Sequence, residues 1–65
     1  MRNNMFKLTI DMDNVAFDET PRAELARILE ELAGKITHFV NPISGWVRDI
    51  NGNVVGRWEL TERET

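Results

Sequence analysis

Trp46-Val47-Arg48-Asp49-Ile50-Asn51-Gly52-Asn53-Val54-Val55-Gly56-Arg57-Trp58-Glu59-Leu60 is the stretch whose reading decides the fold. Two apolar runs rich in Val and Trp flank a cluster of Asn and Gly, the pattern of a β-hairpin with strands at about residues 46–49 and 54–60. Side chains alternate between the faces of a strand, so the length of the loop decides which of them share a face. A two-residue Asn51-Gly52 turn would set Trp46 opposite Arg57 and leave Trp58 on the other face, which divides the largest apolar groups between core and water. A three-residue loop, Ile50-Asn51-Gly52 with Gly52 in the left-handed region, gathers Trp46, Val54, Gly56, Trp58 and Leu60 on one face. The sequence therefore predicts the three-residue loop. Arg48 then points inward with its stem along the core, and Val47, Asp49, Val55, Arg57 and Glu59 take the outer face.

Upstream, Phe6, Leu8, Ile10 and Met12 alternate with Lys7, Thr9, Asp11 and Asp13, which predicts a strand at about residues 5–12 with one wet face. Asn14 to Glu19 reads as a loop from which Val15 and Phe17 tuck under the domain. Thr20-Pro21 then opens a helix, because Thr is a favoured N-cap and Pro suits the first helical position. Leu25, Ile28, Leu29, Leu32 and Ile36 follow helical spacing, with Glu24, Arg27, Glu31 and Lys35 on the opposite side. Arg27–Glu31 and Glu31–Lys35 are opposite charges at i, i+4. Phe39 and Val40 stay in phase with Ile36, so the helix is expected to run through Gly34 to about residue 38, ahead of Asn41-Pro42. The order is β-α-β-β, an α+β two-layer sandwich in which a three-stranded sheet packs on one helix. If adjacent, the first two strands would be parallel and joined by a right-handed crossover. Thr61 to Thr65 reads as a frayed tail.

At 65 residues and 42% hydrophobic, this is a single small domain, residues 1–65, of a size that buries only about 60% of its unfolded surface. There is no cysteine, so neither disulfides nor thiolate metal sites reinforce the core. The longest apolar run is Val15-Ala16-Phe17, and Met-Arg-Asn-Asn-Met carries no apolar signal-peptide region. A soluble protein of the bacterial cytoplasm, without a membrane partner, is expected. Charge is gathered rather than spread. Between Asp11 and Glu31 stand seven carboxylates, Asp11, Asp13, Asp18, Glu19, Glu24, Glu30 and Glu31, against Arg22 and Arg27, so that this segment alone is net −5 in a chain of net −3. Such a balance disfavours direct attachment to phosphate backbones or anionic lipid.

The chemical candidates are few. His38 is the lone histidine and has no thiol to join it, a poor ligand set for zinc, so it reads as a solvated helix-end residue. Ser44 beside Gly45 lacks the strand-turn-helix setting of a nucleophile and reads as a loop serine. Asp11 and Asp13, about 6.6 Å apart on one strand face, have the spacing of a carboxylate pair or weak cation site, but nothing in so short a chain desolvates them. Gly52 and Gly56 form no phosphate loop; Gly56 reads as room for a Trp or the helix to approach. Trp46 and Trp58 are expected in the core, and Val47 and Val55 on the open sheet face, where beside Arg57 they form a small patch. No catalytic residue, metal or cofactor is expected. Asp11, Asp13, Asp18, Glu19, Glu24 and Glu31 are the expected partner-binding residues, a row of negative charge suited to a basic groove on another protein.

Phe6-Lys7-Leu8-Thr9-Ile10, Asn14-Val15-Ala16-Phe17, Ala23-Glu24-Leu25-Ala26-Arg27-Ile28-Leu29, Leu32-Ala33 and Asp49-Ile50-Asn51-Gly52-Asn53-Val54-Val55-Gly56 together resemble small proteins encoded by phages and other bacterial mobile elements. These include anti-CRISPR inhibitors, short and often acidic, and the chain looks like a type I (type I-C) anti-CRISPR protein. The resemblance implies a setting, that of inhibitors that bind Cas surfaces; joined to the acidic row it makes the leading expectation a non-enzymatic, monomeric inhibitor that binds Cas proteins of a type I effector complex, with DNA mimicry and the locking of an effector conformation both open. It carries over no site residue. The alternatives are a mobile-element accessory module, dimeric through the open sheet face or an edge strand, and a small enzyme or metal binder built on Asp11 and Asp13.

Overall fold

The computed structural model describes residues 4–38 and 43–62. It is an α+β fold in the order β1 (Met5–Ile10), a 3-10 turn (Val15–Phe17), α1 (Pro21–Ile36), β2 (Ser44–Arg48) and β3 (Val54–Thr61). The strands form one sheet in the order β1-β3-β2, and both neighbours of β3 run antiparallel to it. β1 and β2 therefore point the same way but do not touch, because the last strand to be made lies between them. Phe17, Ile28, Val47, Val55 and Trp58 are buried, with Leu8, Ile10, Met12, Ala16, Leu32, Ile36 and Leu60 packed around them. The Trp58 ring stacks on Phe6 with centroids 6.1 Å apart.

The hairpin loop forms as its sequence requires, yet the faces differ from expectation. Gly52 takes φ +85°, its N–H donates to the Asp49 carbonyl at 3.0 Å, and the Asp49 N–H closes the loop on the Asn53 carbonyl at 2.9 Å, the three-residue geometry. Two residues further on the register shifts. Arg48 pairs with Val54 but Val47 pairs with Gly56, so that Val55 is an extra residue in β3 with no counterpart on β2. This β-bulge reverses the alternation beyond it. Trp46 now faces Arg57 across the outer face and is 67% exposed, and Val54 is exposed too, whereas Val47 and Val55 enter the core beside Trp58. Arg48 is exposed, not inward, and its Nη1 donates to the Gly52 carbonyl at 2.9 Å. Asp49 is buried because its carboxylate is used locally, accepting from the Asn51 and Asn53 N–H groups at 2.9 Å each.

Smaller differences have local causes. The first strand stops at Ile10, two residues early, and the Asp11 carboxylate turns back to accept the Asp13 N–H at 3.0 Å. Asp11 and Asp13 thus do not lie along one strand. Phe17 is buried, but the 3-10 turn leaves Val15 exposed. Thr20 occupies the N-cap without a side-chain hydrogen bond, and α1 runs through Gly34 to Ile36. Ser44 lies in β2, and Thr61 pairs with Met5 instead of fraying. Phe39, Val40, Asn41, Pro42 and the tail beyond Glu62 lie outside the described residues.

Gly56 is required for a reason other than room for Trp or helix. A Cβ there would stand 2.0 Å from the Thr9 carbonyl oxygen, so the β1 and β3 backbones approach as only glycine permits. Space for Trp58 comes from Gly45, where a Cβ would meet the indole Nε1 at 2.5 Å. Gly56→Ala is expected to cost about 1–3 kcal/mol, the range for forcing extra atoms into a packed site. Gly34→Ala meets nothing within 4 Å and should stabilise by up to about 1 kcal/mol. Urea unfolding of the two variants checks both signs.

Candidate functional site

The six expected partner-binding carboxylates fall into two groups. Glu24 and Glu31 project from α1 and are engaged internally. Glu24 is only 6% exposed, and its Oε1 accepts from Arg27 Nε at 2.6 Å while Oε2 accepts from Arg27 Nη2 at 3.1 Å. The same Oε2 accepts the N–H of Ile50 at 2.9 Å, which ties the first half of the helix to the hairpin loop. Arg27 also donates through Nη1 to Glu31 at 2.9 Å, and Lys35 donates to the other Glu31 oxygen at 3.1 Å. The expected i, i+4 pairs therefore form around Glu31, and with the i, i+3 pair between Glu24 and Arg27 they make these four side chains neutral as a set.

The Arg27 hydrogen bond holds the Glu24 carboxyl below its ordinary value of 4.5, assisted by the Ile50 N–H and opposed by partial burial. Lys35, with help from Arg27, does the same for Glu31.

Asp11, Asp13, Asp18 and Glu19 behave otherwise. All four are exposed on the connection between β1 and α1, and none forms an ion pair among the described residues. Asp11 and Asp13 also border a groove of about 540 Å³ on the outer face of the sheet, together with Thr9, Asn14, Trp46, Val54, Gly56 and Arg57. Its origin is the bulge. Arg57 and Val54 point outward, but Val55 is turned into the core and Gly56 has no side chain, so the outer face is bare between them. Thr9, Arg57 and Trp46 form one cross-strand row along one side. The Arg57 guanidinium lies 6.0 Å from the Trp46 ring centroid, within cation–π range, and pairs with Glu59 at 3.2 Å.

Sequence reasoning missed this groove because it assigned Trp46 and Val54 to the core. The available signal was the Trp46–Arg57 pairing of the shorter register, a favourable cross-strand contact on an open face. Among the described residues no cluster of three or more His, Cys, Asp or Glu is placed to hold a metal, and no helix is long and apolar enough to cross a membrane. His38 is exposed at the end of α1. Comparison with protein-family models, curated proteins and solved structures returns no match.

A carboxyl whose folded pKa is depressed contributes stability that is complete above its unfolded value and is lost as pH falls through the folded one. For Glu24 and Glu31 that loss begins near pH 4.5 and continues below it. Glu24→Gln should flatten the acid limb of the stability curve and lower the neutral-pH melting temperature more than Glu31→Gln, since only Glu24 holds the hairpin. Thermal melts of the three proteins between pH 3 and 7 provide the measurement.

Proposed function

We propose that this chain is a small, non-enzymatic inhibitor that binds a protein surface built to receive nucleic acid, acting as an anti-CRISPR protein on a type I effector complex. One observation carries the reading: four carboxylates, Asp11, Asp13, Asp18 and Glu19, stand exposed on a single connection and without ion pairs among the described residues, whereas Glu24 and Glu31 of α1 are spent on internal bonds. Unpaired charge held on a folded frame can displace the counterions of a basic groove as a phosphate backbone does. It also steers approach to that groove. Contact of this kind competes with DNA. The mimicry rests on the β1–α1 connection, not on a strip reaching down the helix.

A second reading, a mobile-element accessory module, is favoured by a different feature. Beside edge strand β1, Phe6, Leu8, Leu29, Leu32, Ala33 and Ile36 border an apolar notch of about 210 Å³. Sedimentation over a range of concentrations separates the two, because the accessory module in its dimeric form requires self-association.

In the test, a type I-C effector complex is titrated with the protein and its binding of target DNA is followed. DNA affinity should fall as inhibitor saturates. The variant Asp11→Asn, Asp13→Asn, Asp18→Asn, Glu19→Gln should associate about tenfold more slowly at low salt, the lower end of what electrostatic steering supplies. Unchanged DNA binding at saturating inhibitor rejects competition.

A further inference from the structure

We propose that the groove over the bulge seats an arginine side chain of the partner protein, stacked on Trp46 and paired with Asp11 and Asp13. This rests on the protein-binding reading above and names the chemistry that would anchor it. Trp46 stays 67% exposed even with Arg57 over its ring. The ring thus already receives one guanidinium and leaves most of its surface accessible to another. Charge at the far end is uncompensated, since Arg57 is engaged by Glu59 and neither Asp11 nor Asp13 has an ion-pair partner among the described residues. Trp46 on β2 and Thr9 on β1 are separated by two strand spacings, about 9.6 Å, and Asp11 lies two residues beyond Thr9, so the backbones of Trp46 and Asp11 are about 12 Å apart. A long, thin cationic side chain spans that gap over a floor without side chains, and a compact one does not.

Arginine fits better than lysine on three counts. Its planar group stacks on an indole, it pairs with carboxylates in a bidentate way, and it is more weakly hydrated than an ammonium, which matters on a surface with Val54 alongside. Trp and Arg are also the residue types that dominate binding hot spots. The charge of Asp18 and Glu19, which do not border the groove, then serves approach rather than anchoring.

The experiment titrates ¹⁵N-labelled protein with the blocked peptide Gly-Arg-Gly, with Gly-Lys-Gly as its match, and follows backbone and indole N–H signals. The arginine peptide should shift the Trp46 indole and the amides of residues 9–14 and 54–57, and the lysine peptide should bind about two- to fivefold more weakly, the scale of an exposed cation–π contact. Trp46→Leu keeps apolar area without an aromatic face and should lose a similar factor, while Arg57→Gln removes a competing cation and should tighten binding. Asp18→Asn with Glu19→Gln should leave the peptide affinity within about twofold, as a contact outside the groove requires. Trp46 and Arg57 are exposed, so these variants are expected to fold, and the near-ultraviolet dichroism of buried Trp58 verifies it. Equal binding of both peptides with no effect of Trp46→Leu, or shifts that avoid the groove, overturns the proposal. Against the effector complex the two readings separate: full affinity of Trp46→Leu rejects the arginine seat alone, and peptide binding without effector binding rejects the inhibitor function alone.

Discussion

One unmatched residue in the central strand governs the rest of this domain. The loop at Ile50-Asn51-Gly52 is fixed by its own chemistry: a left-handed glycine and an aspartate that accepts two backbone N–H groups. Carried straight into the strands, that loop would put Trp46 and Trp58 on the same face and expel Val47 and Val55. Inserting Val55 as a bulge changes the parity beyond it, so β2 contributes Gly45 and Val47 to the inside and Gly45 makes room for the Trp58 ring. One large indole fills the core of a domain with little interior to fill. The other is left on the surface, where an exposed Trp has binding value that a buried one lacks.

The elements of the fold were legible because their signals are local. Helix spacing from Leu25 to Ile36, Pro21 at the helix start, alternation from Phe6 to Ile10 and the glycine of the hairpin loop each act within a few residues. The site was legible only in part. Alternation predicts a face only while the register holds, and Val54-Val55-Gly56 carries no mark that distinguishes a bulge from a plain strand. Charge counting likewise finds carboxylates but not their partners. Glu24 differs from Asp18 in having Arg27 one turn away and the Ile50 N–H above it, and that second group lies 26 residues along the chain.

The acidic segment therefore divides into two populations in two places. On α1, Glu24, Arg27, Glu31 and Lys35 make a connected network that pins the helix to the hairpin and is nearly neutral as a unit. Exposed ion pairs are individually weak, but the Glu24 carboxylate also satisfies a backbone N–H of the loop. Before the helix, the carboxylates satisfy little beyond their own turn and face solvent. Composition alone would sum these two populations. Geometry separates the charge that builds the fold from the charge without ion pairs among the described residues, and it sets Asp11 and Asp13 of the latter beside the Trp46 groove.

The sheet order also sets a timetable for synthesis. β1 is made first, yet among the described residues its only strand neighbour is β3, whose residues emerge last of the described elements. At about 5–20 residues per second, Met5–Ile10 waits several seconds on the ribosome with its ladder groups unmet. During that interval only α1 and the Asn14–Phe17 turn can organise by local contacts. The nascent chain is then an amphipathic helix that follows an unpaired apolar strand, and the sheet closes when Val54–Thr61 arrives.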